Sequence, residues 1–196
     1  GTVTINASGV VLRGSGSGSG GTVLNMTNAS PNLLIAVAGS GSWATTGSAA
    51  NMTDTYVPAG AVSFNVSSTS GFAVGDTVLV QRPATSAWIA YMGMNVIPNS
   101  DGSGTYDTWI SANSIIRTDR VIKAINGNNI TLDVPLTDSF DSTYLTGSIV
   151  RYNYTGRISE VGVENFSVSA APSTQTYGFL TMNAVMDSWV QNVAVQ

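Results

Sequence analysis

Apolar positions fall along this chain in short β-branched bursts, and Gly, Ser, Thr, Asn or Pro stand between them. In the first forty residues the bursts are 3–5, 9–12, 22–24 and 33–37. Each is a few residues long and bounded by turn formers, which predicts strands. The Ser/Gly alternation of 15–21 joins two strands only a few residues apart, so it reads as a loop on a coil rather than a domain boundary. Helix is hard to place in this segment. Residues 41–55 read as a polar connection. Beyond them the strands lengthen: 61–66 alternates Val62, Phe64 and Val66 on one face, 72–76 is a tight turn, and 77–81 follows it. Residues 120–125 and 130–134 flank Gly127-Asn-Asn129 and predict a hairpin; 148–154 is a further strand. These antiparallel-type strands predict a small β-barrel-like module over 55–155.

Inside that module, residues 82–113 form a long excursion with no regular pattern. It gathers Trp88, Tyr91, Tyr106 and Trp109. Long structureless loops within compact domains are usually functional. The final forty residues behave differently. Residues 158–168 superpose on 185–195 at a shift of 27 without a gap: Ile158 falls on Val185, Glu160 on Asp187, Val163 on Val190, Asn165 on Asn192, Phe166 on Val193 and Val168 on Val195. A repeat of this length, with β-branched residues at fixed offsets and an Asn at a fixed corner, predicts stacked β-solenoid coils.

Ser8-Gly-Val-Val-Leu-Arg-Gly14, Gly156-Arg-Ile-Ser-Glu-Val-Gly-Val-Glu-Asn-Phe166 and Val185-Met-Asp-Ser-Trp-Val-Gln-Asn-Val193 together resemble the pectate-lyase-like superfamily of right-handed parallel β-helix proteins. Gly71-Phe-Ala-Val-Gly-Asp76, Gln81-Arg-Pro83 and Ile130-Thr-Leu-Asp-Val-Pro-Leu136 resemble the β-module inserted in a subset of its secreted members. The resemblance implies an all-β fold, a right-handed parallel β-helix (solenoid) with an inserted small β-barrel-like module. Residues 1–54 are then N-terminal coils, 55–155 the inserted module with its aromatic excursion, and 156–196 further coils. The pattern stops at Val195-Gln196 with an open parallel edge, so the expectation is a longer protein or a second chain completing the solenoid. The opening residues already read as a strand, which implies a removed leader or a piece of something longer.

Composition narrows the function classes. Only 9% of the 196 residues are charged, with 43% hydrophobic, a mix that suits short strands and many turns rather than disorder. Seven basic residues and a net charge of −4 cannot supply the footprint a phosphate backbone needs, so nucleic acid is not expected as a partner. No apolar run approaches a membrane span; 33–38 is the longest. With no Cys and no His, thiol nucleophiles, disulfides, imidazole bases and His or Cys zinc sites are excluded within these residues. Eight Asn-X-Ser/Thr sequons, at Asn6, Asn25, Asn28, Asn51, Asn65, Asn129, Asn153 and Asn165, are double the about four expected by chance and favour a secreted, extracellular glycoprotein. Asn165 is the weakest acceptor, because the repeat places it at a coil corner.

The resemblance also implies chemistry. Lyases on this fold hold calcium with Asp or Glu against a uronate carboxylate and use Lys or Arg as base. Calcium is thus a possible cofactor, although the sequence requires none and assigns no metal ligand. Glu160 and Asp187, aligned by the repeat, are candidate catalytic carboxylates; the plainer reading is two solvated side chains. Glu164 falls on Gln191, which breaks any carboxylate ladder. Arg117 and Asp119 share one strand face and are a candidate base with its orienting acid, or else a structural ion pair. Trp88, Tyr91, Tyr106 and Trp109 can form a stacking platform for sugar rings, with Arg82 assisting as a cation; the plainer reading is aromatics packing the loop down. Arg157 is expected to tie backbone carbonyls where module meets solenoid. Asp101-Gly-Ser-Gly104 lacks most ligands of a calcium loop and reads as a turn. Two functions follow: a secreted, carbohydrate-directed protein with lyase or glycosidase chemistry acting on a polysaccharide or cell-surface glycan, or a non-catalytic structural or adhesive glycoprotein that self-assembles.

Overall fold

The computed structural model describes residues 1–27, 32–170 and 176–195. Among these the fold is all-β apart from one helix, Ser86–Tyr91. The chain divides into two compact units, Gly1–Trp43 with Tyr154–Gln196, and Ala44–Asn153.

The first unit is built from parallel pairs. The strand Ile158–Ser159 lies beside Val185–Met186, and Gly162–Ala170 beside Trp189–Val195. Their register joins Ile158 to Val185, Val163 to Val190 and Phe166 to Val193, which is the 27-residue shift of the repeat. On its other side Gly162–Ala170 takes two N-terminal strands, Val11–Arg13 and then Val23–Met26. The Gly/Ser-rich link between them turns tightly, with the Gly16 N–H donating to Asn165 O and the Thr22 N–H to Gly16 O. A second parallel sheet orders Val3–Ile5, Asn32–Ala38 and Thr176–Asn183.

Asn165 explains how one strand serves a bent wall. Val161, Val163, Phe166 and Val168 are buried, so the inward positions step by two, then three, then two. Strict alternation would turn Asn165 inward. Its left-handed backbone, φ 60°, bends the strand and restarts the alternation one residue later. Asn tolerates this conformation better than other side chains with a Cβ. Asn192 repeats it at φ 57° and donates from Nδ2 to Asn165 Oδ1 at 3.0 Å. Ile35, Val37, Val161, Val163, Phe166 and Val168 form the centre of this unit's core. Among the described residues the outermost pass pairs on one side alone: Val190 and Val195 are 44% and 60% exposed, against 0% and 1% for their partners Val163 and Val168.

The second unit is a six-stranded sheet in the order Trp43–Asn51, Ser148–Tyr154, Thr77–Pro83, Ile115–Asn126, Asn129–Leu132, Ser63–Asn65. The expected hairpin is present, with Asn126 paired to Asn129 and Gly127 at φ 58° in the connection. The two outer strands meet as well. Met52 bridges Val66, the Thr53 N–H donates to Asn65 O, and the Ser67 N–H donates to Asn51 O. Phe64, Val66, Val78, Val80, Ile122, Ile130 and Ile149 fill the space enclosed.

Three expectations need correction here. Residues 41–55 are not simply a connection, because Trp43–Asn51 is a nine-residue strand. Its small side chains are mostly exposed, so backbone pairing rather than apolar alternation defines it. Val62 does not share the inward face of Phe64 and Val66: it is 44% exposed while they are 2% and 1%. The excursion over 82–113 is not structureless. It holds the Ser86–Tyr91 helix and a two-strand ribbon of Ile97–Pro98 with Tyr106–Asp107. Thr85 starts that helix, its hydroxyl accepting from the Trp88 N–H at 3.1 Å, as an N-cap Thr does.

Candidate functional site

The excursion and the segment 137–145 build one cleft of about 560 Å³ within the second unit. Its floor starts at Arg82, the penultimate residue of Thr77–Pro83, whose cross-strand partner is Ile116. Two residues after the strand, Thr85 both caps the helix and donates from Oγ1 to Tyr144 O at 2.6 Å, which fastens helix to opposite wall. The helix turns Trp88 and Ile89 inward, 7% and 3% exposed, and leaves Tyr91 at its end 66% exposed. Tyr91 stacks on Tyr144, ring centroids 4.3 Å apart at 26°. Trp109, 79% exposed, follows with its backbone N–H donating to Met94 O at 3.1 Å. Tyr56 completes the aromatic lining.

Three charged side chains line this cleft: Arg82, Asp138 and Asp141. The Arg82 guanidinium lies 4.3 Å from the Trp88 ring centroid, with Nη2 3.5 Å from Asp138 Oδ1. Its Nε is fully covered and meets no acceptor. The Arg82 side chain is 12% exposed and that of Asp138 34%, so the cation is set behind the anion. Its cation–π contact is with Trp88, one of the aromatics of the expected platform. Asp141 stands opposite Tyr56 in a two-strand ribbon and accepts the Thr143 N–H on Oδ1 at 2.9 Å. The result is a groove with flat apolar faces and carboxylate acceptors at its side, the two surfaces a sugar presents in reverse.

Of the five residues expected to bind substrate, the cleft brings together Arg82, Trp88, Tyr91 and Trp109. Tyr106 is 62% exposed on the Ile97–Pro98 ribbon and does not line it. Trp88 is largely spent on packing, as the plainer reading held. Tyr56, Asp138, Asp141 and Tyr144 line the cleft and were missed by sequence reasoning. They lie far along the chain, and the only available signal was Tyr144 three residues beyond Asp141 in a segment otherwise lacking a strand pattern.

The other candidates sit elsewhere. Glu160 and Asp187 occupy matching bends of the parallel unit, φ 56° and 47°, with the Glu160 N–H donating to Asp187 O at 3.2 Å. Arg117 is exposed on Ile115–Asn126, and Asp119 accepts the Tyr152 hydroxyl at 3.2 Å. None of these four lines the cleft. Asp101 accepts the Ser103 N–H on Oδ1 at 2.9 Å, a turn contact that holds its carboxyl below the ordinary value. Arg157 stacks 4.3 Å over the Tyr154 ring. Among the described residues no three His, Cys, Asp or Glu gather to hold a metal ion, and no helix is long and apolar enough to cross a membrane. Of the sequons, Asn6, Asn25, Asn51, Asn65 and Asn153 are exposed. Asn65 Nδ2 is bound to Asp54 and Asn129 Nδ2 to Asn65. Asn28 lies outside the described residues.

Comparison with known proteins adds three distant likenesses. No family model matches the chain, and no curated protein does. The tailspike gp61 of Pseudomonas phage phi297 aligns with 98% of this chain at 14% identity and a TM-score of 0.44. The tailspike gp49 of Pseudomonas phage LKA1 aligns with 89% at 16% identity and a TM-score of 0.35. The Gp54 tailspike of Acinetobacter baumannii bacteriophage AP22, solved with a capsular saccharide, aligns with 98% at 11% identity and a TM-score of 0.36. The chain spans 27–30% of the length of these structures. At such identities and scores, neither fold nor function is transferred from them.

Proposed function

We propose that this protein binds a polysaccharide or cell-surface glycan in the cleft of its second unit, with sugar rings stacking on Trp109 and on the Tyr91–Tyr144 pair. One observation carries the reading: Trp109 is 79% and Tyr91 66% exposed beside two carboxylates in a concave site. Large aromatic faces left in water at a polar groove are the mark of a binding surface. Aromatic planes meet the apolar faces of sugar rings, while Asp138 and Asp141 accept hydroxyl protons from the ring edges. The parallel pairs at a 27-residue shift support a right-handed parallel β-helix of pectate-lyase-like kind for the first unit. The meeting of the outer strands supports a small barrel for the second. The exposed sequons at Asn6, Asn25, Asn51 and Asn153 support an extracellular setting.

The proposed activity is binding; the catalytic candidates Glu160, Asp187, Arg117 and Asp119 do not line the cleft. Binding to immobilised polysaccharides tests it. Trp109→Ala is expected to weaken retention about 5- to 30-fold, as loss of a sugar-stacking ring costs on the order of 1–2 kcal/mol, while the melting temperature holds. Unchanged retention by the variant would remove the cleft from consideration.

A further inference from the structure

We propose that the cleft selects neutral sugars and rejects uronates, a claim that rests on the glycan reading above and narrows it. The cleft carries one guanidinium against two carboxylates. A uronate carboxylate needs an accessible cation to replace the water it gives up. Arg82 is poorly placed to supply one, because its side chain is only 12% exposed and its guanidinium is already held between Trp88 and Asp138. Its ring-facing side is covered by Trp88 at 4.3 Å, Nη2 faces Asp138 at 3.5 Å, and Nε is fully covered. Turning the guanidinium toward a ligand would break both contacts and leave Asp138 without its counter-charge.

Asp141 strengthens the argument. Among the described residues it has no ion pair; its recorded partner is the Thr143 N–H on Oδ1. A neutral sugar offers hydroxyl donors to such a carboxylate, in charge-assisted hydrogen bonds stronger than neutral ones. A uronate brings a second unpaired anion beside Asp141, a repulsion that weakens as salt rises. Repulsion of this kind, together with the missing cation, is expected to separate the two ligand classes by about tenfold or more at low salt.

Matched ligands test the claim. Polygalacturonate, alginate and hyaluronan are each prepared in native form and after carboxyl reduction to the neutral polymer, and both forms are titrated into the protein at low and high salt. The reduced polymer of a bound pair is expected to bind at least about tenfold tighter at low salt, with the gap narrowing as salt rises. Asp141→Asn keeps an acceptor for the Thr143 N–H and removes the charge; it is expected to close most of the gap, improving the native form and weakening the reduced form. Trp109→Ala is expected to weaken the reduced form. If native polymers bind as well as reduced ones, and binding still depends on Trp109, selection against uronates is overturned while glycan binding stands. If no polymer binds, or binding ignores Trp109→Ala, the glycan reading itself is overturned.

Discussion

Glu164 shows how much a single side chain settles in the parallel unit. It lies on the face of Gly162–Ala170 opposite the core and is still only 5% exposed, because neighbours on both sides cover it. The Trp189 indole N–H donates to Oε2 at 2.7 Å and Arg13 Nε to Oε1. Trp189 can lie so close because residue 162 is Gly; a Cβ there would come within 2.5 Å of the ring. The Trp189 hydrogen bond first, then that of Arg13, holds the Glu164 carboxyl below its ordinary value of 4.5. A carboxyl depressed in the folded state adds stability above the ordinary carboxylate range and loses it as pH falls through the folded value. Melting temperature followed from neutral to acid pH should drop more steeply for the wild type than for Glu164→Gln, and the two curves should converge at the acid end. Parallel curves would show that the charge on Glu164 contributes nothing. The pairing of Glu164 with Gln191 was legible from the repeat. The Arg13 contact was not, since 151 residues separate the partners.

At the scale of elements, visibility in the sequence followed the source of each element's stability. The hairpin of Ile115–Asn126 with Asn129–Leu132 and the repeated passes ending in Trp189–Val195 draw on β-branched alternation, which the sequence displays. Trp43–Asn51 draws on pairing to a neighbour, and its Ala, Thr, Ser and Gly carry no periodic signal. The Ser86–Tyr91 helix is too short for a 3.6-residue period to emerge. It depends on Thr85 instead, which serves two bonds, one to the Trp88 N–H and one to Tyr144 O. Removing the cap typically costs about 1 kcal/mol, and the second bond ties the helix to the residue that Tyr91 stacks on. Thr85→Ala should therefore lower stability by on the order of 1–2 kcal/mol in denaturant titration and also weaken glycan binding, with Trp109 untouched. Thr85→Ser should restore both. A loss of stability without loss of binding would show that the helix does not position the aromatic wall. The same bond explains why half the cleft was hidden: its second wall lies 59 residues further along the chain.

The whole molecule has two cores that recruit chain differently. The core of the parallel unit draws on Ile5, Met26, Leu34, Ile35 and Val37 from the start of the chain and on Ile158 to Val168 from its end. The core of the second unit runs from Ala50 to Ile149 without leaving the segment between. Its outer strands are bonded to each other through Met52 and Val66, which leaves few unpaired edges. The strand Trp43–Asn51, by which the chain enters, neighbours Ser148–Tyr154, by which it leaves, so the two ends of the segment lie side by side. A segment of this size can hold a core of its own. Residues 44–153 produced alone should then unfold in one cooperative transition and keep the Trp109-dependent binding of the full chain. The complementary pieces 1–43 and 154–196 should not fold separately, because each holds only part of a shared core. Heat unfolding of the fragment followed by circular dichroism, beside glycan titration, checks both halves of the argument. A fragment that folds without binding would leave the unit autonomous but show the cleft to be shaped by the rest of the chain; one without a cooperative transition would show that the second core depends on the first.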